Sequence, residues 1–393
     1  METRRIIMTS TFYPPFHLGG DAVHVRYLAE ELARRGHEVH VLHSLDAFSL
    51  KARGVHPELT STDVMTHPVG TALGPLSATL TYLTGYSRAA VRELQRLVAE
   101  VRPDWVHHHN ISLLGQGMLS VGPAPSLLTS HDHWLACPRS DLSYLGRERC
   151  EVAECNYCSL RSGRPPQLWR SQRFADRIGK VDVIISPSAY MADFLRERLS
   201  LRSTVLPNFV PPPGAAGGGP REHFVFAGVL EPHKGLDLLL RGYQECGVRS
   251  ELHVLGRGSL EPMVREAERR TGGRIKALGF LERKAVLEEL SGAIALVAPS
   301  NCLENSPLSC IEALSVGAPL IVSPLGGLPE LVANGAGMVA DSTPESIGSA
   351  MRMLERQGSV VSLLSAKALE GYRERHSPER YISSYLELAG GAS

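Results

Sequence analysis

Pro299-Ser300-Asn301-Cys302-Leu303-Glu304-Asn305-Ser306-Pro307-Leu308-Ser309-Cys310-Ile311-Glu312-Ala313-Leu314 is the stretch on which the reading of the chain turns. Just before it, Ala293-Ile294-Ala295-Leu296-Val297-Ala298 is short, apolar and bounded by Gly292 and Pro299. That is the pattern of a parallel strand buried on both faces. After it, Ser306 is placed to cap a helix with Pro307 in its first turn, running to about Val316 and stopping at Gly317. Glu304 then falls in the loop at the carboxyl end of the strand, and Glu312 inside the helix. Open α/β sheets bind ligands at that edge. The helix start supplies free N–H groups and a positive dipole end, which suit an anion. A carboxylate can accept two sugar hydroxyls at once. Two carboxylates flanking an anion-binding helix start suit a nucleotide sugar, with polyol at both ends and phosphate between. The competing reading is a solvated Glu304 and a Glu312 engaged with the helix dipole or an ion pair.

The same stretch resembles the E-x7-E signature of retaining GT-B glycosyltransferases of family 4. The resemblance implies that Glu304 contacts the donor sugar, that Glu312 contacts the nucleotide ribose, and that the backbone at Asn305 and Ser306 approaches sugar and phosphate. It also implies the fold: an α/β GT-B architecture of two Rossmann-like domains facing each other across a cleft.

Working outward, the C-terminal half opens at His223-Phe224-Val225-Phe226-Ala227-Gly228, a strand, followed by Val229 to Gly235 and a helix from Leu236 to Cys246. A Lys beside a Gly at a helix start is a phosphate-binding arrangement, although Lys-Gly also occurs at plain turns. Lys234-Gly235 is similar to the family's "GRL…KG" element, whose Arg and Lys clamp the diphosphate. Val229 stands where that Arg would be, so Lys234 carries the diphosphate alone or with His233 or Arg257. Gly256-Arg257-Gly258-Ser259 matches the family's second glycine-rich turn near the nucleotide. Gly279-Phe280-Leu281 falls where the family packs against the base. Gly326-Gly327-Leu328-Pro329-Glu330 matches its "GG-x-x-E" turn.

The N-terminal half begins with a strand over 4–10, a loop ending in Gly19-Gly20, a helix over 21–35 and a second strand from His37. This is a Rossmann-like opening without the G-x-G-x-x-G fingerprint, so NAD is not indicated. Paired glycines let backbone approach a ligand, and in the family this loop lies near donor phosphate and acceptor. Helix is expected over 76–101 with a break at Gly85. His107-His108-His109 end a strand; at most two of them can share a face, which disfavours a metal cluster. Ser126 to Ser130 is another strand, closed by His131-Asp132. The pair matches the family's "HD" position, which implies that His131 reaches the transferred sugar. The plain alternative is a histidine held by local hydrogen bonds.

Cys137, Cys150, Cys155 and Cys158 are spaced C-x12-C-x4-C-x2-C within an insertion over about 133–165. Four thiolates suit a structural zinc that staples a loop with little core of its own. An iron–sulfur cluster or uncoordinated thiols are the alternatives. Basic residues interleaved with Leu168, Trp169 and Phe174 over 161–180 fit either a peripheral contact with an anionic membrane or a solvated basic helix.

The boundaries follow: an acceptor-side domain over 1–207, a Pro/Gly linker over 208–221, and a nucleotide-sugar domain over 222–375. A last helix over 376–393 is expected to cross back to the first domain. The 393 residues suffice for two cores. Zero net charge supplies no overall field to recruit nucleic acid. With no signal-like start, no long apolar run and seven cysteines, the expectation is a cytoplasmic protein, with peripheral residence at the inner membrane face as its variant. The expected activity is hexosyl-type transfer from a nucleotide-sugar donor to an acceptor hydroxyl. Lys234 and the helix start would stabilise the leaving diphosphate, with no cofactor needed for the chemistry. The alternatives are another GT-B enzyme, an epimerase or phosphorylase, or a catalytically silent sugar-nucleotide binder.

Overall fold

The computed structural model describes residues 2–51, 63–145, 148–150, 154–170, 172–214 and 219–391. The chain divides into two units, Met1–Leu206 with Tyr381–Ser393, and Pro207–Arg380.

The first unit is built on β1 (Arg5–Thr9), β2 (Glu38–Ser44), β3 (Met65–Val69), β4 (Trp105–His108) and β5 (Ser126–Thr129). A small antiparallel hairpin follows, β6 (Ser143–Tyr144) with β7 (Glu148–Arg149), and then β8 (Val183–Ser186) and β9 (Thr204–Val205). The main sheet has the order β3-β2-β1-β4-β5-β8-β9, and every pairing is parallel. A parallel sheet is covered by helices on both faces, so its central strands lack polar alternation. In β1 only Arg5 is exposed. The helix Gly20–Arg34 buries Val25, Leu28, Ala29 and Leu32, one apolar stripe at helical spacing. Pro75–Thr84 and Arg88–Val101 are separate helices, parted at Gly85, which takes the left-handed conformation expected of a helix end.

The last helix, Pro378–Gly390, contributes Tyr381 and Tyr385 to this first unit, both buried. The Tyr385 hydroxyl accepts from Trp105 Nε1 at 2.9 Å and lies 3.1 Å from His107 Nδ1. These bonds tie the C-terminus to β4.

The second unit repeats the plan with β10 (His223–Ala227), β11 (Glu251–Leu255), β12 (Ile275–Gly279), β13 (Ala293–Ala298), β14 (Leu320–Val322) and β15 (Gly337–Val339). Its order is β12-β11-β10-β13-β14-β15, again parallel throughout. Phe224, Phe226, Val254, Ala295, Val297 and Ile321 form the centre of its core.

The segment expected to be a linker is only partly one. His376 Nδ1 donates to the Asn208 carbonyl at 2.7 Å, the Tyr372 hydroxyl to that of Val210 at 3.1 Å, and Arg283 Nη2 to that of Pro211 at 2.6 Å. Residues 208–211 are therefore fixed parts of the second unit, because their carbonyls are already taken by its helices. Residues 215–218 of the expected linker lie outside the described residues, as do 146, 147 and 151–153 of the Cys-rich insertion and 171 of the basic stretch.

The basic stretch also differs from the membrane reading. Phe174 and Ile178 of the helix Gln172–Ile178 are packed into the first unit's own core. Trp169 donates through Nε1 to the Tyr82 carbonyl, 2.9 Å away. The apolar positions of this segment serve the domain; Leu168 alone among them stands out, 74% exposed.

Candidate functional site

In the second unit the strand order reverses between β10 and β13, since β10 pairs β11 on one side and β13 on the other. Ligands bind at such switch points, outside the carboxyl ends of the strands. The two loops there are the one after β10, carrying Lys234, and the one after β13, carrying Glu304. They are stitched together by the Asn301 N–H, which donates to the His233 carbonyl at 2.8 Å. Gly235 makes the approach possible. It has φ 69°, and a Cβ there would lie 1.9 Å from the Pro299 carbonyl oxygen. Gly326 does the same on the other side: at φ 64°, its Cβ would meet the Glu304 carbonyl oxygen at 2.0 Å. The Gly327 N–H donates to that same carbonyl at 2.7 Å.

The carboxylate of Glu304 is not solvated. Its Oε1 accepts from Lys234 Nζ at 2.5 Å and Ser300 Oγ at 2.9 Å, with Cys302 Sγ at 3.5 Å. Burial pushes Glu304 up, but the Lys234 charge and these donors outweigh it and hold the group below the usual carboxylate range. Burial likewise pulls Lys234 down, and Glu304 more than reverses it, so the ammonium is held above its ordinary value. The ligand-free site therefore keeps both charges.

The helix of the deciding stretch is Leu308–Ser315, and its start differs from expectation. Pro307 occupies the N-cap position in an extended conformation, and no side chain caps the helix. The hydroxyl of Ser306 is buried and has no hydrogen-bond partner. With Pro307 extended, Ser306 sits one residue too early to reach the first-turn amides. The Cys310 N–H donates to the Pro307 carbonyl at 3.1 Å, and the N–H groups of Leu308 and Ser309 with the Ser306 hydroxyl remain for a ligand. One turn into the helix, Glu312 Oε1 accepts from Arg283 Nε at 3.1 Å, so its resting state is an ion pair. Gly256 and Gly258 form a turn pressed against the 228–230 loop: Cβ atoms there would stand 1.8 Å from the Gly228 oxygen and 2.5 Å from the Leu230 oxygen. Chain packing alone requires both glycines. Val229, where the resembling element has Arg, is 50% exposed, and the Arg257 guanidinium lies over the Phe280 ring.

The first unit has its own switch point, between β1 and β4. Gly19, at φ 87°, precedes the helix that Gly20 begins. Asp21 in its first turn accepts from Asn110 Nδ2 at 2.7 Å, joining the loops after β1 and β4. His131 follows β5, and its Nε2 lies 3.0 Å from His109 Nδ1, with the rings stacked. His107 lies against His109 at 3.9 Å between ring centres with the rings tilted by 39°, and His24 meets His131 edge-on. His108 points the other way, 2.8 Å from Thr9 Oγ1, as strand geometry requires. Burial pulls His131 down to about 4, against the opposing pull of Asp21. His24, His107 and His109 are likewise pulled well down by burial. The cluster is neutral at neutral pH. Asp132 is pushed up to about 7 by burial; its Oδ1 accepts from the Trp134 N–H at 2.7 Å, capping the short turn His133–Leu135.

The two switch points, one with a lysine–carboxylate pair below a free helix start, can be set beside known proteins. A model described as Glycosyltransferase Family 4 matches residues 18–212, and one described as Glycosyl transferases group 1 matches 218–368. The chain belongs to glycosyltransferase family 4. Across 97% of its length it is 26% identical to a glycogen synthase of Mycobacterium tuberculosis, covering 91% of that protein. Over 28% of each chain it is 33% identical to a GDP-mannose-dependent phosphatidylinositol dimannoside mannosyltransferase from the same species. In fold it is similar to the sucrose-phosphate synthase of Thermosynechococcus elongatus, with a TM-score of 0.75 at 17% identity over 99% of this chain and 100% of that one. It is also similar to Anabaena HepE solved with UDP, at a TM-score of 0.68 and 15% identity over 98% and 100%. The fold is GT-B, and the enzyme transfers a glycosyl group from a nucleotide sugar; the epimerase, phosphorylase and silent-binder readings are not favoured.

Sequence reasoning placed Lys234, Glu304 and His131 in loops at the carboxyl ends of strands. It missed Asp21, Asn110, His109 and Ser300. Asp21 directly follows Gly19-Gly20, and that adjacency was the available signal. For His109 the run of three histidines hid which one would stack on His131.

Proposed function

We propose that the enzyme transfers a hexosyl-type sugar to an acceptor hydroxyl with retention of anomeric configuration. The Lys234–Glu304 pair at the second switch point, beside the unpartnered Ser306 hydroxyl, carries the reading. Lys234 and the amides that open Leu308–Ser315 receive the diphosphate and stabilise it as it leaves. Glu304, held by Lys234 and Ser300, orients the donor sugar hydroxyls, and Asn305 and Ser306 line the approach. Glu312 exchanges part of its contact with Arg283 for the ribose. Gly19 and Gly20 let backbone approach the phosphate side, while Gly256 and Gly258 keep the neighbouring turn close. In the same-face reaction the bond from the sugar C1 to phosphate oxygen breaks. The acceptor oxygen bonds to C1 from that side, and its proton passes to the leaving phosphate. Glu304 is committed to Lys234 and Ser300, which favours this route over attack by a carboxylate. His131, neutral, offers a hydrogen bond to the transferred sugar or acceptor.

One named relative is GDP-mannose-dependent and one similar structure was solved with UDP, so a thermal-shift panel of UDP- and GDP-sugars comes first. Proton NMR of the product then reads the anomeric configuration at early times. An α-linked product from an α-linked donor is expected; an inverted product would overturn retention.

No helix among the described residues is long and apolar enough to cross a membrane. Residence in the cytoplasm is part of the proposal, because clustered thiols persist in a reducing compartment. Peripheral contact with an anionic membrane is proposed for the basic stretch over 161–180, through exposed Arg161, Leu168 and Lys180, with the neighbouring helix Pro75–Thr84 beside it. That helix carries no charged residue and exposes Leu76, Leu80 and Leu83. Flotation with anionic vesicles should be lost in Leu76→Glu/Leu80→Glu; no flotation of the parent protein would remove the assignment.

A further inference from the structure

Cys137, Cys150, Cys155 and Cys158 come from a turn, the end of a hairpin and a short helix, yet all four line one cavity of about 10 Å3, together with Ser143 and Glu154. No disulfide joins any of the chain's cysteines. The surrounding backbone is arranged toward sulfur. The Cys158 thiol donates to the Ser143 carbonyl, 3.9 Å away. The Leu145 N–H donates to Cys158 Sγ at 3.3 Å. Among the described residues, the non-glycine positions at positive φ are Arg102, Ser140, Leu142, Leu145 and Ser200, and the middle three fall between the first two cysteines. Each such residue costs about 1–2 kcal/mol, and this loop has little apolar burial of its own to offset it.

A cation waits beside the cluster. Arg170 stacks over Trp134 and Trp169, donates to the Leu135 carbonyl at 3.2 Å, and leaves its buried Nη2 without a partner. Leu135, whose carbonyl it binds, stands two residues before Cys137. Zinc bound by four thiolates carries two net negative charges, which this guanidinium partly balances.

We propose that Cys137, Cys150, Cys155 and Cys158 bind one zinc ion that fixes the loop after Asp132. Binding exchanges the thiol protons for four sulfur–zinc bonds, with no redox change. Among the described residues, His223, His253 and Glu289 are the group with three ligand atoms all within 4.8 Å of one another. The sulfurs are wider apart, so binding draws the loop inward. The histidine group is a hydrogen-bond network instead: His253 Nδ1 meets Glu289 at 2.6 Å and its Nε2 meets Glu251 at 3.0 Å. The zinc loop reaches the reacting region through Ser140, whose carbonyl accepts from the N–H of His133, the residue after Asp132, at 3.3 Å. That last link rests on the proposed role of the His131 loop; zinc binding itself does not.

The test is metal analysis of the full chain purified without chelator, with iodoacetamide mapping of native protein. Roughly one zinc per chain is expected, with the four cysteines protected until a strong chelator is added. Cobalt in place of zinc should give the intense visible bands of a tetrahedral thiolate site. Cys155→Ser should lose the metal; if it does not fold, the alkylation map of the parent protein decides. Folded, metal-free protein whose four thiols react without chelator would overturn the site. So would a disulfide within the four, or iron with acid-labile sulfide. Turnover unchanged after complete zinc removal would overturn the link to Asp132 and leave the site standing.

Discussion

At the second unit's switch point the polar groups are charged and mutually neutralised: Lys234 against Glu304, Arg283 against Glu312. At the first unit's switch point the stacked groups are neutral: His24, His107, His109 and His131 in contact, with burial keeping protons off. Both are built on the same parallel order, reversing beside the first strand of the sheet. The difference teaches what each is suited to hold. A fixed lysine charge with free helix amides suits a diphosphate. Neutral rings that donate or accept suit sugar hydroxyls, and a buried imidazolium beside three others would be costly.

The sharpest way to break this contrast is Lys234→Ala. It removes the diphosphate's cation and leaves Glu304 buried without its main partner. Loss of about 3–4 kcal/mol in kcat/KM is expected, with donor affinity measured by calorimetry falling as well. Unchanged donor affinity would detach the charged site from the diphosphate. His131→Ala should lower turnover roughly ten- to a thousand-fold and leave donor affinity much closer to the parent value. A folded variant with normal turnover would place His131 outside the reacting centre.

Gly235→Ala tests the backbone instead of the charge. The added Cβ meets the Pro299 oxygen in a left-handed residue, and about 2–4 kcal/mol of stability should be lost in urea unfolding. A neutral result would mean that the two loops are not in close contact.

Acid separates the two units by number of groups. The folded histidines refuse protons that the unfolded chain accepts, so their contribution is full above pH 6.5 and falls as pH drops toward 4. His131 alone contributes up to about 3 kcal/mol. Asp132 runs oppositely, adding stability as pH falls from 7 to 3.8, but it stands against nine histidines of the first unit that burial pulls down: His17, His24, His37, His43, His67, His107, His108, His109 and His131. In the second unit His376 and His223 act in the same direction. Glu304, held low, keeps its contribution until pH falls through its depressed pKa; Lys234, held high, loses its own only as pH rises above 10.5. All three tryptophans, Trp105, Trp134 and Trp169, lie in the first unit. Their emission should report loosening between pH 6.5 and 4, before second-unit peptides lose protection in hydrogen exchange corrected for intrinsic rate. Simultaneous loss would show that the histidine cluster does not set the acid limit.

The smallest effect expected is a gain. Val229→Arg restores the cation that the resembling element carries, at a half-exposed position. Donor affinity should rise by about 1 kcal/mol with the melting temperature unchanged; weaker binding would mean that this loop does not face the diphosphate.

The strand Ala293–Ala298, the glycine turns, Lys234-Gly235, Glu304 and Glu312, and the break at Gly85 were all legible as sequence. Each is set by neighbours along the chain: apolar runs, turn glycines, fixed spacing within one strand-loop-helix unit. The sequence also set the four cysteines within twenty-two residues of one another. Tertiary structure alone decided the partners. Glu304 takes Lys234, seventy residues away, and so becomes a buried half of an ion pair instead of a solvated carboxylate. Ser306 lost its capping role because Pro307 is extended, a matter of how the loop enters the helix. His109 became the companion of His131 only when β4 was laid beside β5. The break between the units falls at Leu206–Pro207, ahead of the Pro/Gly run, because Asn208 and Val210 give their carbonyls to His376 and Tyr372 of the second unit. Periodicity and spacing encode what a residue can do within its own element. Burial, and with it charge state, depends on which distant element arrives to cover it.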